Sequence, residues 1–125
     1  MLFAIALGGA AGTLARFGVG AYPQRFSGTF PFSTLAINVL GSLLLGFFMR
    51  YFLGTAAAPE LRVGLTIGFC GGFTTFSTFS YETVRLLEQG SYGRAATYVA
   101  SSVVLSMLAT LAGFAAARGA LAPPT

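Results

Sequence analysis

The sequence predicts an all-α membrane protein with four transmembrane helices, the third of which is broken near its middle. Composition is the first observation behind this class. Of the 125 residues, 55% are hydrophobic and only 8% are charged, whereas soluble domains carry about 25% charged residues. The second observation is that the apolar residues fall into four stretches of about 20 residues or more, the length that a helix needs to cross a bilayer. We therefore expect a single transmembrane domain over residues 1–125.

Short connectors separate the four apolar stretches. Pro23, Pro31 and Pro59 mark helix boundaries, because proline interrupts helical hydrogen bonding. The first stretch has no basic residue before Arg16, so we interpret it as a membrane span and not as a cleaved leader. The predicted spans cover about residues 2–22, 31–53, 62–87 and 93–118.

The third span carries an interruption. Gly71 and Gly72 stand near its middle, and each glycine weakens a helix by about 1 kcal/mol relative to alanine. Thr74 and Thr75 follow them, and threonine hydroxyls compete for backbone partners. We expect the helix to break within residues 71–75, close to the bilayer midplane. Carbonyl groups exposed at that depth are tolerated where they are buried in protein, line a polar cavity or hold an ion.

Arginines are balanced between the two membrane sides, which predicts insertion in both orientations. With the N-terminus on side A, each side carries three arginines, and Arg16 lies inside the first span nearer side B. The positive-inside rule needs a larger difference to fix one orientation. Two inverted copies can then pair about a two-fold axis in the membrane plane as an antiparallel homodimer, unless context imposes a single orientation. Side A holds Arg50, Arg62 and Arg118, and side B holds Arg25, Arg85 and Arg94.

Polar side chains recur at helical spacing in two spans. A hydroxyl in lipid is unfavourable unless it has a partner, so a row of them has one of two explanations. The hydroxyls either bond between helices and back to their own helix, or they form a polar track. Four in a row opposite an amide and a broken helix favour the track. The row in the fourth span is Tyr98, Ser102, Ser106 and Thr110, and the second span holds Thr34, Asn38 and Ser42.

The broken segment itself supplies aromatic rings among further hydroxyls. Phe76 and Phe79 are three residues apart and share a helix face. Such a pair is more often core packing, but the positive edges of aromatic rings also suit an anion. The surrounding hydroxyls favour a pore wall. They belong to Thr75, Ser77, Thr78 and Ser80.

Several function classes lack their residues. The chain has no His and no Lys, and its three carboxylates, Glu60, Glu82 and Glu88, stand in connectors or toward the end of the third span. Acid–base catalysis and transition-metal sites need such groups, so we expect no enzyme. The single Cys70 forms neither an internal disulfide nor a metal cluster. Neutral donors suit a small anion, and carbonyls shared across a two-fold axis suit a hard cation.

Three segments resemble a known family. They are GGAAGTLARF at 8–17, TLAINVLGSLLLG at 34–46 and GFCGGFTTFSTFSYET at 68–83. They resemble the Fluc (CrcB-type) fluoride channels, and the last is the most specific. The resemblance implies a dual-topology homodimer that exports fluoride passively through two antiparallel pores. The membrane is then the plasma (inner) membrane of a prokaryote.

The resemblance also implies roles for individual residues. The carbonyls of Gly71 and Thr74 match the ligands of a central Na⁺ that is structural and is not transported. Arg16 matches an arginine of the first span, and its position suits either snorkelling to the interface or attracting anions in a vestibule. The fluoride pore residues that it implies are Asn38, Phe76, Phe79, Tyr98, Ser102 and Ser106, with Thr75, Ser77 and Thr78 in the same hydroxyl-rich track.

Two other function classes stay open at this point. Proton-coupled small multidrug-type transporters are also short, four-span, dual-topology dimers. They use a carboxylate inside the first span, where this chain has Arg16. The third reading is a structural subunit of a larger complex, which a stable and active reconstituted dimer would remove.

Overall fold

The computed structural model describes residues 1–21 and 30–123, and nearly all of them are helical. Two helices form the first half of the chain, and a longer one ends it. Between them lies a composite third segment that changes helix type and breaks once. The elements are α1 (Leu2–Ala21), α2 (Phe32–Leu53), α3 (Pro59–Val63), a π-helix (Gly64–Cys70), α4 (Gly71–Phe73), α5 (Phe76–Glu88) and α6 (Tyr92–Leu121).

The observed helices lie close to the expected spans. The third segment begins at Pro59, where proline occupies the first turn, instead of at about residue 62. The fourth helix extends to Leu121 instead of 118. The predicted connector that contains Arg25 falls mostly on residues 22–29, outside the described part of the chain. Among the described residues, three helices are long and apolar enough to cross a membrane: Leu2–Gly20, Phe32–Leu53 and Tyr92–Leu121.

Helices α2 and α6 run parallel, side by side. Near one end, the rings of Phe30 and Tyr98 lie 5.7 Å apart between centroids. Further along, the Thr110 hydroxyl donates to the Ser42 carbonyl at 3.4 Å. Both pairs have the same separation in sequence, as two parallel helices require. The chain between two parallel helices must return along them, and residues 59–88 make that return.

Helix α1 packs along the first half of this third segment, and glycines permit the close approach. A Cβ atom added at Gly68 would lie 2.8 Å from the Ile5 carbonyl oxygen, and one added at Gly72 would lie 2.5 Å from that of Gly9. Both positions exclude a side chain, as is common where apolar helices pack backbone to backbone. The π-helix in this half was not predicted. Its wider turn keeps Gly64 and Gly68 both against α1.

The interruption of the third segment lies at Thr74 and Thr75. Their backbone angles are extended, with φ −80° and ψ 156° at Thr74 and φ −149° and ψ 117° at Thr75. Gly71 and Gly72 remain helical, so the break lies within the predicted residues 71–75 but falls on the two threonines and not on the glycines. Gly72 serves packing against α1, and the break has its cause in a side chain of α2.

The outer surface of the single chain is strongly apolar. Leu2, Phe3 and Phe17 are all at least 75% exposed. The largest fully buried side chain is that of Tyr98, which packs with Leu86 and Ala95. Large exposed apolar residues and a small buried core are typical of a helix bundle whose solvent is lipid.

Candidate functional site

The side chain of Asn38 on α2 holds the broken segment open. Its Nδ2 donates to the Thr75 carbonyl at 3.0 Å, and its Oδ1 accepts from the Thr75 N–H at 2.9 Å. One amide side chain therefore satisfies both backbone groups of an extended residue, as a neighbouring strand would. Thr75 is 9% exposed, and buried backbone groups without partners would be strongly unfavourable. Asn38 thus stabilises the break.

The Thr75 side chain then starts the second half of the segment. Its Oγ1 accepts from the Thr78 N–H at 3.3 Å, which is the usual arrangement of an N-cap residue. It also lies 3.1 Å from the Thr78 hydroxyl and 3.3 Å from the Ser77 hydroxyl. Helix α5 can begin at Phe76 because this hydroxyl satisfies one of its free N–H groups.

These two diversions leave particular carbonyl oxygens without their helical partners. In an α-helix the carbonyl of each residue accepts from the N–H four residues later. The Thr75 N–H donates to Asn38 instead of to Gly71, and the Thr78 N–H donates to Thr75 Oγ1 instead of to the Thr74 carbonyl. The Cys70 carbonyl, in contrast, accepts from both the N–H and the hydroxyl of Thr74. A carbonyl oxygen freed in this way can accept another hydrogen bond or bind a hard cation.

A groove of about 320 Å³ opens beside the break, between α2, α5 and α6. Gly41 lets the broken segment pack closely against α2, because a Cβ atom there would lie 3.2 Å from the Phe73 ring and closer still to the Thr74 methyl group. None of the described residues that line the groove is titratable. They are Asn38, Gly41, Ser42, Leu45, Thr74, Thr75, Phe76, Phe79, Ser102, Val103 and Ser106.

Two aromatic rings form one wall of the groove. Phe76 and Phe79 lie 5.4 Å apart between centroids at an angle of 46°. Phe79 packs 5.2 Å from Tyr98, whereas Phe76 is 77% exposed. The outer ring therefore needs another surface to cover it or faces lipid.

The opposite wall carries a hydroxyl that has no partner. Ser102 is 8% exposed, and its buried Oγ forms no hydrogen bond among the described residues. A buried hydroxyl without a partner is unfavourable by about 1–3 kcal/mol, so its position at the groove calls for a ligand or water. The Thr110 hydroxyl, in contrast, donates to the carbonyls of Ser106 and Ser42. The row of available donors on α6 therefore ends at Ser106.

A carboxylate lies beyond the other end of this row. Glu82 on α5 accepts from the Thr34 hydroxyl at 2.8 Å through Oε1 and from the Tyr98 hydroxyl at 2.8 Å through Oε2. Three elements meet at this carboxylate. Sequence reasoning missed it as a site residue, although Tyr98 was expected. The sequence feature that could have indicated this site is Thr34, which lies one helical turn before Asn38 and carries a hydroxyl on the same face of α2.

A second cavity, of about 440 Å³, lies on the other side of Thr75. Arg16, Thr78 and Glu82 line it together with Thr75, so it carries both a cationic and an anionic side chain. Arg16 is partly exposed, and it faces this cavity. The other lining residues are Phe17, Gly20, Ser33, Thr34 and Ile37.

The structure distributes the expected pore residues among distinct positions. Thr75 separates the two cavities and Thr78 lines the charged one. Tyr98 is fully buried behind Phe79 and reaches Glu82. Ser77 is exposed and lines neither cavity. The residues brought together in the groove are Asn38, Thr75, Phe76, Phe79, Ser102 and Ser106.

No group of three or more His, Cys, Asp or Glu side chains that suits a metal ion occurs among the described residues. The oxygens that the break frees from helical hydrogen bonds belong to the backbone, and those of Gly71 and Thr74 are among them. The site therefore contains three kinds of group: neutral donors and ring edges in the groove, free carbonyls at the break, and charged side chains in the second cavity.

Comparison with known proteins gives a consistent assignment. The model of the family described as CrcB-like protein, Camphor Resistance (CrcB), matches residues 3–114. A protein of Geobacter metallireducens named fluoride-specific ion channel FluC is 50% identical over 119 residues, which cover 94% of this chain and 96% of that protein. A protein of Thermus thermophilus with the same name is 47% identical over 111 residues, covering 88% and 87%. The family resemblance predicted from the three segments is confirmed, and the chain belongs to the CrcB-like family.

Proposed function

We propose that this protein is a fluoride-specific ion channel that exports fluoride passively across the plasma membrane of a prokaryote. The observation that carries the proposal is the near full-length similarity to relatives named fluoride-specific ion channels. The groove chemistry agrees with it. The protein is a multi-pass membrane channel and not an enzyme.

The groove suits a small, strongly hydrated anion. An anion that loses its hydration water needs replacement hydrogen-bond donors, and Ser102 offers a buried hydroxyl that has no partner among residues 1–21 and 30–123. The Asn38 side-chain amide has two N–H groups. One donates to the Thr75 carbonyl, and the second is available to donate to an anion. The edges of Phe76 and Phe79 add the positive side of the ring quadrupole. Ser106 extends the route along α6. Neutral donors bind an anion weakly enough to release it, as conduction requires.

The test is anion efflux from liposomes that contain the purified protein. We expect fast fluoride efflux once a potassium ionophore removes the counter-charge, and no chloride efflux above that of protein-free liposomes. Equal rates for the two halides in the wild type would refute the fluoride assignment. Phe3→Ile serves as the control for insertion and handling, because Phe3 is 75% exposed on α1 and far in sequence from the groove.

The groove becomes a closed pathway in an antiparallel homodimer. Phe76 is 77% exposed in the single chain, and Gly71 has open space beside it. An inverted copy placed over the break covers both residues and generates two equivalent pores by symmetry. The balanced arginines permit the two orientations. Cysteines introduced at opposite ends of α6, at Tyr92 and Arg118, should cross-link to each other between subunits, and like-to-like cross-links alone would refute the inverted arrangement.

A structural Na⁺ fits the break in such a dimer. Each copy contributes the carbonyls of Gly71 and Thr74, whose helical N–H partners donate elsewhere. Oxygen ligands of this kind suit a hard cation, and the ion supplies positive charge that holds the four oxygens together. Replacing Na⁺ with a large organic cation should slow fluoride efflux or weaken the dimer. Unchanged efflux and unchanged dimer stability would remove the ion from the proposal.

The competing proton-coupled transporter has one point in its favour, the partly buried Glu82. That carboxylate, however, is engaged by two hydroxyl donors from α2 and α6, and the relatives carry a channel name. A drug-driven proton release by the purified protein would revive the transporter. Fluoride efflux that continues without any proton gradient would exclude it.

A further inference from the structure

A small cavity of about 150 Å³ lies beside Glu82, apart from the two cavities at the break. Arg85, Leu86 and Gln89 from the last turns of α5 line it, together with Pro31 and Glu82 itself. The Tyr98 hydroxyl donates to Glu82 Oε2. The cavity therefore adjoins the end of the hydroxyl row on α6.

The carboxylate creates an electrostatic problem at this point. An anion that leaves the groove at its Ser102 end comes toward the Glu82 carboxylate, which lies one buried side chain away, behind Tyr98. Charges of like sign repel, and the repulsion is stronger at a protein surface than in bulk water because the effective dielectric constant is lower. A pathway for anions that ended there would be slow to fill and slow to empty.

Arg85 supplies the opposite charge within the same small cavity. It follows Glu82 by three residues on α5, and such residues are neighbours on a helix face. Arg85 is exposed, and its Nη1 lies 3.3 Å from the Tyr81 hydroxyl. A guanidinium has five N–H donors, so most of them remain for an anion. Gln89 adds an uncharged amide one turn further on.

We propose that Arg85 and Gln89 form an anion-receiving site at the mouth of the pathway. Arg85 offsets the charge of Glu82 and raises the local concentration of monovalent anions at the end of the hydroxyl row. The inference rests on the proposed fluoride channel and adds an entry site to it. The site is not selective by itself, because a guanidinium attracts any small anion, and selection falls to the groove.

The experiment compares fluoride efflux at two ionic strengths. At low salt we expect Arg85→Gln to slow efflux by about threefold, and at high salt, set with an impermeant electrolyte, the deficit should shrink as screening removes the effect of one surface charge. Arg85→Lys keeps the charge and should retain efflux close to wild type. Arg118→Gln is the matched control, since Arg118 is also exposed and stands in the last turn of α6.

A second substitution, at Gln89, tests the same site without changing Arg85. Gln89→Glu places a negative charge in the same cavity and should slow efflux with the same salt dependence. The proposal is overturned if Arg85→Gln and Gln89→Glu both match wild type at low salt, if their deficits ignore salt, or if Arg118→Gln is equally slow. A wild type without fluoride efflux would instead refute the channel itself, so the two failures are distinguishable.

Discussion

Two cavities meet at Thr75 and differ in the charge of their walls. The groove toward α6 is lined by neutral residues, and Asn38 and Ser102 are among its polar side chains. The cavity on the opposite side contains Arg16 and Glu82. The larger cavity is also the charged one, at about 440 Å³ against about 320 Å³.

The difference in charge indicates that the two cavities have different roles, one in attracting anions and the other in selecting among them. Arg16 in the larger cavity attracts anions without regard to their identity and Glu82 opposes it, because Coulomb interaction depends only on charge and distance. Neutral donors in the narrower groove replace water around the ion, and their number and spacing favour a small halide. A full charge inside the groove would hold the anion too tightly for conduction. Four substitutions test this comparison.

Asn38→Ala should have the largest effect, because it opens the wall that separates the cavities. It leaves the N–H and carbonyl of Thr75 unpaired, which should lower the free energy of unfolding by about 2–4 kcal/mol. Fluoride efflux should fall by about 100-fold or more. Thermal unfolding in detergent and liposome efflux measure the two quantities. Wild-type values of both would contradict the role of Asn38 in holding the break.

Phe76→Ile tests the aromatic wall of the groove. Edge-to-face contacts between aromatic rings contribute about 0.5–1.5 kcal/mol. Loss of an ion–edge contact of similar size should slow fluoride efflux by up to about tenfold. Dimer stability should change little, because isoleucine remains apolar. Phe3→Ile is the matched control on α1, with 75% exposure against 77% for Phe76. Equal efflux from both variants would show that the Phe76 ring does not act on the ion.

Ser102→Ala separates a conducting hydroxyl from a structural one. Because Ser102 Oγ has no partner in the described part of the protein, its removal should not lower the melting temperature. Fluoride efflux should slow by about three- to tenfold through the loss of one neutral hydrogen bond. Ser101→Ala is the neighbouring control, since the Ser101 hydroxyl donates to the Thr97 carbonyl at 2.6 Å. A lower melting temperature without a slower efflux would assign Ser102 to packing.

Arg16→Gln should have the smallest effect and a different signature. Its charge acts through the wider cavity, so efflux should fall by about two- to threefold at low salt and recover at high salt. Efflux ratios at two ionic strengths measure this. A deficit that persists at high salt would mean that Arg16 contacts the ion or supports the fold.

The helices and the site of the break were largely predictable from sequence, because apolar length and proline positions are local signals. The cause of the break was not. Gly71 and Gly72 have weak helix propensity, yet they stay helical because Gly72 packs against Gly9. The actual cause is Asn38, which stands 37 positions away in sequence from Thr75. A contact between residues so far apart in sequence leaves no local sequence pattern from which it can be predicted.

Contacts between residues distant in sequence also explain why the π-helix and the role of Glu82 were not predicted. The π-helix over Gly64–Cys70 depends on how closely α1 can approach, which no single segment encodes. Glu82 stands near the end of a predicted span, and its hydroxyl partners Thr34 and Tyr98 come from two other helices. Phe76 and Phe79, in contrast, share a face by spacing alone, and the structure has their rings 5.4 Å apart.

The most direct test of the neutral groove is the reversal potential of the wild-type protein in a planar bilayer. With a tenfold fluoride gradient and equal chloride on both sides, a fluoride-specific channel should reverse close to the fluoride equilibrium potential, about 59 mV from zero. Replacing chloride on one side by an impermeant anion should leave that value unchanged. A reversal potential that follows chloride, or one near zero despite the fluoride gradient, would contradict selection by the donors and ring edges of the groove.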